Sequence, residues 1–186
     1  MNRFKGEVNM KDFATDVALA RKGDAAAFSR LYAEVYEDLY HIALYSLRNS
    51  HDACDAVSET VLDAFCSIGK LRDEKAFRSW IMRILSAKIK QKQREYYDAP
   101  AELEEAFNES VGFDFVSFEV REVLENLDPD SRLLLSMSVL GGYTSEEIAK
   151  ICGSKANTVR SRLARIKKQL SNDLAEHPIL VKGETL

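Results

Sequence analysis

The chain has 186 residues, 30 of them acidic and 26 basic, and 46% are apolar, the composition of a soluble globular protein of one or two domains. No apolar run approaches the ~18 residues that a membrane span needs, and the opening MNRFKGEVNMKDF has no apolar core for a secretory signal. A cytoplasmic location without stable membrane insertion is therefore expected. Cys54, Cys66 and Cys152 include no Cys-x-x-Cys pair, which excludes a disulfide framework and reads as free thiols.

In chain order, a short helix is predicted from about Asp12 to Lys22, presenting Phe13, Val17 and Ala20. Gly23 and Asp24 mark the start of a longer one, reaching Arg48, in which Phe28, Leu31, Val35, Leu39, Ile42 and Leu47 repeat at threes and fours. Ala53, Ala56, Val57, Thr60, Val61, Ala64, Phe65 and Ile68 define a third, expected to stop at Gly69. A fourth runs from about Asp73 to Tyr96 on the stripe Phe77, Trp80, Ile81, Ile84 and Leu85, which draws Trp80 toward the core. Val116, Val120, Val123, Leu124 and Leu127 predict a fifth that ends at Asp128-Pro129. The segment from Leu133 to Leu140 is apolar nearly all round and must be central. Gly141-Gly142 then breaks the chain, and Thr144-Ser145-Glu146-Glu147 forms a capping box ahead of two further helices separated by Gly153. No strand-like alternation of useful length occurs, and the fold class is all-α.

The net charge of −4 hides a strong asymmetry. Nine basic and two acidic residues lie between Lys70 and Arg94, ten acidic residues and one basic between Asp98 and Asp128, and six basic residues with no acidic one between Lys155 and Leu170. Two basic blocks flank an acidic stretch whose opening, Asp98 to Asp114, lacks periodicity. The expected organisation is a helical domain over 1–97, an acidic linker over 98–114, a helix-turn-helix domain over 115–176 and a tail over 177–186.

The most specific local signal is Thr144 to Leu170. A helix-turn-helix needs a small residue where its helices cross, a glycine at the turn and apolar residues holding the second helix. Ala149, Gly153 and Val159 supply these. On the second helix Val159, Leu163, Ile166 and Leu170 face inward, leaving Asn157, Thr158, Ser161, Arg165 and Lys168 outward. Asn157 and Arg165 suit base edges, whereas Arg160, Arg162 and Lys168 suit phosphates. On the fourth helix Arg83, Lys90 and Arg94 fall within about 40° of each other, away from the apolar stripe, and Tyr96 and Tyr97 beside them suit stacking on unpaired bases.

Catalytic and metal chemistry find no support. His51 and Cys54 lie one helical turn apart, but Cys66 is about three turns on and no fourth ligand is spaced to join them. No nucleophile elbow, phosphate-cradling glycine loop or metal-protease pair is present, and neither an enzyme activity nor a cofactor is expected.

The two halves together resemble the bacterial RNA polymerase sigma factors, in particular the small extracytoplasmic-function (ECF) group, over about Asp12 to Leu174. GDAAAFSRLYAEVYEDLYHIAL resembles the family's opening helices, DACDAVSETVLDAF its polymerase-docking helix, and FRSWIMRILSAKIKQKQRE the helix that melts and reads the minus-ten promoter element. LDPDSRLLLSMSVLGGYTSEEIA and NTVRSRLARIKKQL resemble the minus-thirty-five-reading domain. The resemblance implies a factor that binds core RNA polymerase through its beta-prime clamp and directs it to promoter DNA, with an anti-sigma factor as a candidate partner. It places Asp52, Asp55, Glu59 and Thr60 at polymerase, Arg83, Lys88, Lys90 and Arg94 near minus-ten DNA, and Lys155, Asn157, Thr158, Arg160, Ser161, Arg162, Arg165 and Lys168 near minus-thirty-five DNA. The sequence departs from the family pattern at Cys54, Ser58, Ala87 and Gln91.

Two other readings compete. A stand-alone regulator would use only the helix-turn-helix, with the first domain as a dimerisation bundle, and would bind a symmetric site without polymerase. An interaction protein would titrate an anti-sigma factor without promoter function.

Overall fold

The computed structural model describes residues 10–98 and 127–176, which form seven α-helices and no strand. They are α1 (Met10–Ala20), α2 (Ala25–Leu47), α3 (Ser50–Ser67), α4 (Phe77–Asp98), α5 (Pro129–Val139), α6 (Ser145–Cys152) and α7 (Ala156–Glu176). The predicted linker beyond Asp98, the predicted helix before Leu127 and the tail lie outside the described residues.

Side-chain caps set the helix starts. Asp24 accepts the Ala27 N–H at 2.9 Å, Asn49 the Asp52 N–H at 3.1 Å, and Asp128 the Ser131 N–H at 3.0 Å with Pro129 at the first helical position. Two ends differ from the sequence expectation. α3 does not stop on a left-handed Gly69 but tightens into a 3-10 turn over Ile68–Lys70. α4 begins at Phe77, because Asp73 first caps a separate 3-10 turn over Glu74–Ala76.

The first four helices pack around Leu31, Leu39, Ile42, Phe77, Ile81, Leu85 and Ile89, each almost wholly buried. Burying side chains of this size contributes about 1.5–3 kcal/mol apiece. The face that α3 turns to this core is small, with Ala53, Ala56, Val57 and Ala64 buried, so its backbone can lie close to α2 and α4.

The second half packs on the first. α5 lies against α2 and α6 against α4, so the apolar interior is continuous across both halves. This explains the all-round apolar pattern of α5: Leu133, Leu134, Leu135 and Met137 are buried, leaving Val139 as its exposed apolar residue. Polar side chains line the seam. Gln93, 6% exposed, donates to the Ser46 carbonyl at 3.4 Å and the Pro129 carbonyl at 3.3 Å. Tyr143 lies beside the Asp38–Arg78 ion pair, and its hydroxyl pKa is pushed up to about 12, by burial first and then by the Asp38 charge, with Arg78 opposing.

Candidate nucleic-acid interface and acidic docking face

The helix-turn-helix is built as its residues require. Thr144 accepts the Glu147 N–H while Glu147 accepts the Thr144 N–H at 2.8 Å, closing the capping box of α6. Gly153 ends α6 at φ 64°, a left-handed conformation in which a side chain would be strained, and the turn redirects the chain into α7. Ala149 is buried at the crossing, and Val159, Leu163 and Ile166 hold α7 inward.

All eight minus-thirty-five candidates, Lys155, Asn157, Thr158, Arg160, Ser161, Arg162, Arg165 and Lys168, are exposed. Two of the arginines already have acidic neighbours. Arg160 pairs with Glu146 and donates to Asn157 at 3.0 Å, and Arg162 lies 3.6 Å from Asp130. The Arg160 guanidinium also helps hold the Glu146 carboxyl below its ordinary range, second to a backbone hydrogen bond. Arg165 and Lys168 extend from the same exposed surface.

On α4 the minus-ten candidates separate. Lys90 and Arg94 border a cleft between α4 and the start of α5, opposite Asp128 and Asp130, and Arg83 is exposed on the same face. Lys88 points the other way, with its ammonium 3.2 Å from Glu59 and 2.9 Å from Asp63 on α3. Trp80 is half-buried against the core beside Phe77, whose ring centroid is 5.9 Å away.

The outer face of α3 carries Asp55, Glu59 and Asp63 together with Leu62, 65% exposed, and Phe65, 47% exposed. Asp52 lies at its edge, where Lys92 approaches it at 3.6 Å and Asp55 at 3.4 Å. Thr60 is on the opposite side: it is fully buried, and its hydroxyl donates to the Ala56 carbonyl at 2.7 Å. It packs α3 against its neighbours, which corrects its expected place at polymerase: a side chain buried in the core is not part of the outer face. His51, Asp52 and Asp55 bring one ligand atom each within 4.8 Å of one another, but the Lys92 ammonium already supplies positive charge there.

Comparison with known proteins joins these surfaces. Two family models match, Sigma-70 region 2 over residues 31–96 and Sigma-70, region 4 over residues 117–170. The chain belongs to the sigma-70 family, in its ECF group. Region 2 takes in α3 and most of α2 and α4, and region 4 takes in α5, α6 and most of α7. The ECF RNA polymerase sigma factor SigM of Mycobacterium tuberculosis is 28% identical over 152 residues, covering 80% of this chain and 78% of that protein. The ECF RNA polymerase sigma-E factor of Escherichia coli is 27% identical over 187 residues, covering 88% and 96%. Among solved structures, CnrH in complex with the cytosolic domain of CnrY matches with a TM-score of 0.67 at 26% identity, covering 89% of this chain and 98% of CnrH. The sigma factor RpoE, in complex with the anti-sigma factor NepR from Bartonella quintana, shares the fold with a TM-score of 0.61 at 21% identity. No described helix is long and apolar enough to cross a membrane.

Proposed function

We propose that the chain is an ECF sigma factor that binds core RNA polymerase and directs promoter-specific initiation, working in the cytoplasm and carrying no chemistry of its own. The observation that carries this reading is the presence, on one chain, of region 2 and region 4, each presenting an exposed basic helix face. On α7 and the turn before it, Asn157 and Arg165 read minus-thirty-five base edges, while Lys155, Thr158, Arg160, Ser161, Arg162 and Lys168 fix register on the phosphates. On α4, Arg83, Lys90 and Arg94 follow the minus-ten strand. The face of α3 with Leu62 at its centre and Asp55, Glu59 and Asp63 beside it docks on the beta-prime clamp, an apolar centre with a charged rim. An anti-sigma factor is the proposed regulatory partner, by analogy with the complex of RpoE with the anti-sigma factor NepR.

Footprinting on promoter fragments, with and without core polymerase, tests this reading. Protection of both elements only in the presence of core supports it. A symmetric footprint by the chain alone would instead support the stand-alone regulator.

A further inference from the structure

We infer that Lys88 and Lys92 are positioning residues of the polymerase-docking face, and that Lys88 does not contact minus-ten DNA. The inference rests on the proposed function. The two lysines are one helical turn apart on α4, and each is shared between two carboxylates of α3. Lys92 lies 3.6 Å from Asp52 and 3.4 Å from Asp55, and Lys88 lies 3.2 Å from Glu59 and 2.9 Å from Asp63. Four carboxylates against two ammonium groups leave the row with a net charge of −2.

The lysines are turned away from the DNA-reading face. At 100° per residue, Lys88 stands about 120–160° round α4 from Arg83, Lys90 and Arg94. Its side chain is 20% exposed and that of Lys92 15%, whereas Asp55, Glu59 and Asp63 remain 46–56% exposed. The amines are spent inward, and Asp55, Glu59 and Asp63 keep open sides toward solvent, whereas Asp52 is 15% exposed. Hydrogen bonds to Asp63 and then Glu59 hold the Lys88 ammonium above its ordinary pKa.

A second feature of α3 points to a protein partner there. Leu62 projects almost opposite the buried face of the helix, and Asp55, Glu59 and Asp63 fall within about 100° of it on one side, with Phe65 about 60° away on the other. Large apolar side chains this exposed, rimmed by polar groups, mark interaction surfaces. Holding each acid in one rotamer against α4 removes an entropy cost that a flexible side chain incurs on docking. It also ties the docking face to the helix whose other side meets DNA.

Two physical roles predict opposite signs. If the lysines merely neutralise the acids, removing one makes the face more acidic and strengthens binding to a basic partner. If they position the acids, removal weakens it. The test uses the full chain and core polymerase, measuring core affinity by competition for Lys88→Gln, Lys92→Gln and Lys88→Arg. The expected result is a loss of roughly three- to five-fold for each glutamine variant, with Lys88→Arg within about two-fold of the parent. Promoter affinity of holoenzyme preformed at saturating core, and its salt dependence, stay unchanged in Lys88→Gln, whereas Arg94→Gln lowers the salt slope by about 0.7. Thermal midpoints of the free variants separate positioning from unfolding: a positioning loss lowers core affinity in Lys88→Gln while its midpoint stays near that of Lys88→Arg. Unchanged or tighter core binding by Lys88→Gln, or a reduced salt slope in its holoenzyme, overturns the assignment. Failure of the parent chain to bind core overturns the sigma-factor reading and this inference with it.

Discussion

Ser86 Oγ on α4 lies 3.8 Å from Cys152 Sγ on α6, although the two residues are 66 positions apart in the chain. The contact is part of a seam that holds region 2 against region 4, and on the other side of it Cys152 Sγ lies 4.0 Å from Met137 Sδ. The seam has a consequence for DNA. Elements centred at minus ten and minus thirty-five are separated by about 25 base pairs, or about 85 Å of duplex. A compact chain of this length has a radius of gyration of only about 16 Å, so reading both elements requires the seam to part.

Ser86→Cys, in a chain whose exposed Cys54 and Cys66 are replaced by serine, should form a disulfide with Cys152 on oxidation. A cross-link closing a loop of this length stabilises by about 4 kcal/mol where the geometry permits. The oxidised protein is expected to lose core-dependent transcription from two-element promoters and to regain it with reductant. Equal activity before and after reduction would show that the closed seam does not impede promoter reading.

Gln93 bridges the halves through the Ser46 and Pro129 carbonyls. Gln93→Leu removes both hydrogen bonds and should lower stability by about 1–2 kcal/mol in urea titrations. An unchanged midpoint would show that apolar packing alone holds the seam.

Tyr143 gives the seam a pH dependence at the alkaline end. Its folded pKa of about 12 exceeds the ordinary value of 10, so the unfolded chain releases the proton first. The stabilisation is present in full below about pH 10 and is lost as pH rises toward 12, amounting to roughly 2–3 kcal/mol. Tyr143→Phe should flatten the stability profile over that interval and remove the latest part of the alkaline absorbance change.

Much of this fold was legible in the sequence because its signals are local. The periodicity of α2, the Thr144–Glu147 box and the all-round apolar pattern of α5 each lie within one element. Thr60 was misplaced by the resemblance, which put it at polymerase, although it falls in the row Ala53, Ala56, Val57, Thr60, Ala64 that faces the core. Lys88 shows the limit of motif matching, since the basic run around it gives no sign that four carboxylates of α3 take two of its lysines. The seam was not legible. Ser86, Gln93 and Cys152 look like ordinary polar interruptions of helical stripes, and their partners are set by tertiary packing between segments far apart in the chain.

The α7 surface makes a separable prediction. Arg162→Ala should weaken holoenzyme binding across promoters and lower the salt slope by about 1, as loss of a phosphate contact does. Arg165→Ala should relax discrimination among minus-thirty-five variants by about 1–3 kcal/mol. Reversed effects would exchange the roles of the two arginines.

The most direct test of the central claim is a reconstituted transcription assay with the purified chain, bacterial core RNA polymerase and a pool of promoter fragments from the source genome, with the run-off products sequenced. The account predicts discrete start sites that appear only when chain and core are both present, preceded by shared minus-ten and minus-thirty-five elements. No transcripts from any fragment, with a specific footprint by the chain in the absence of core, would contradict it.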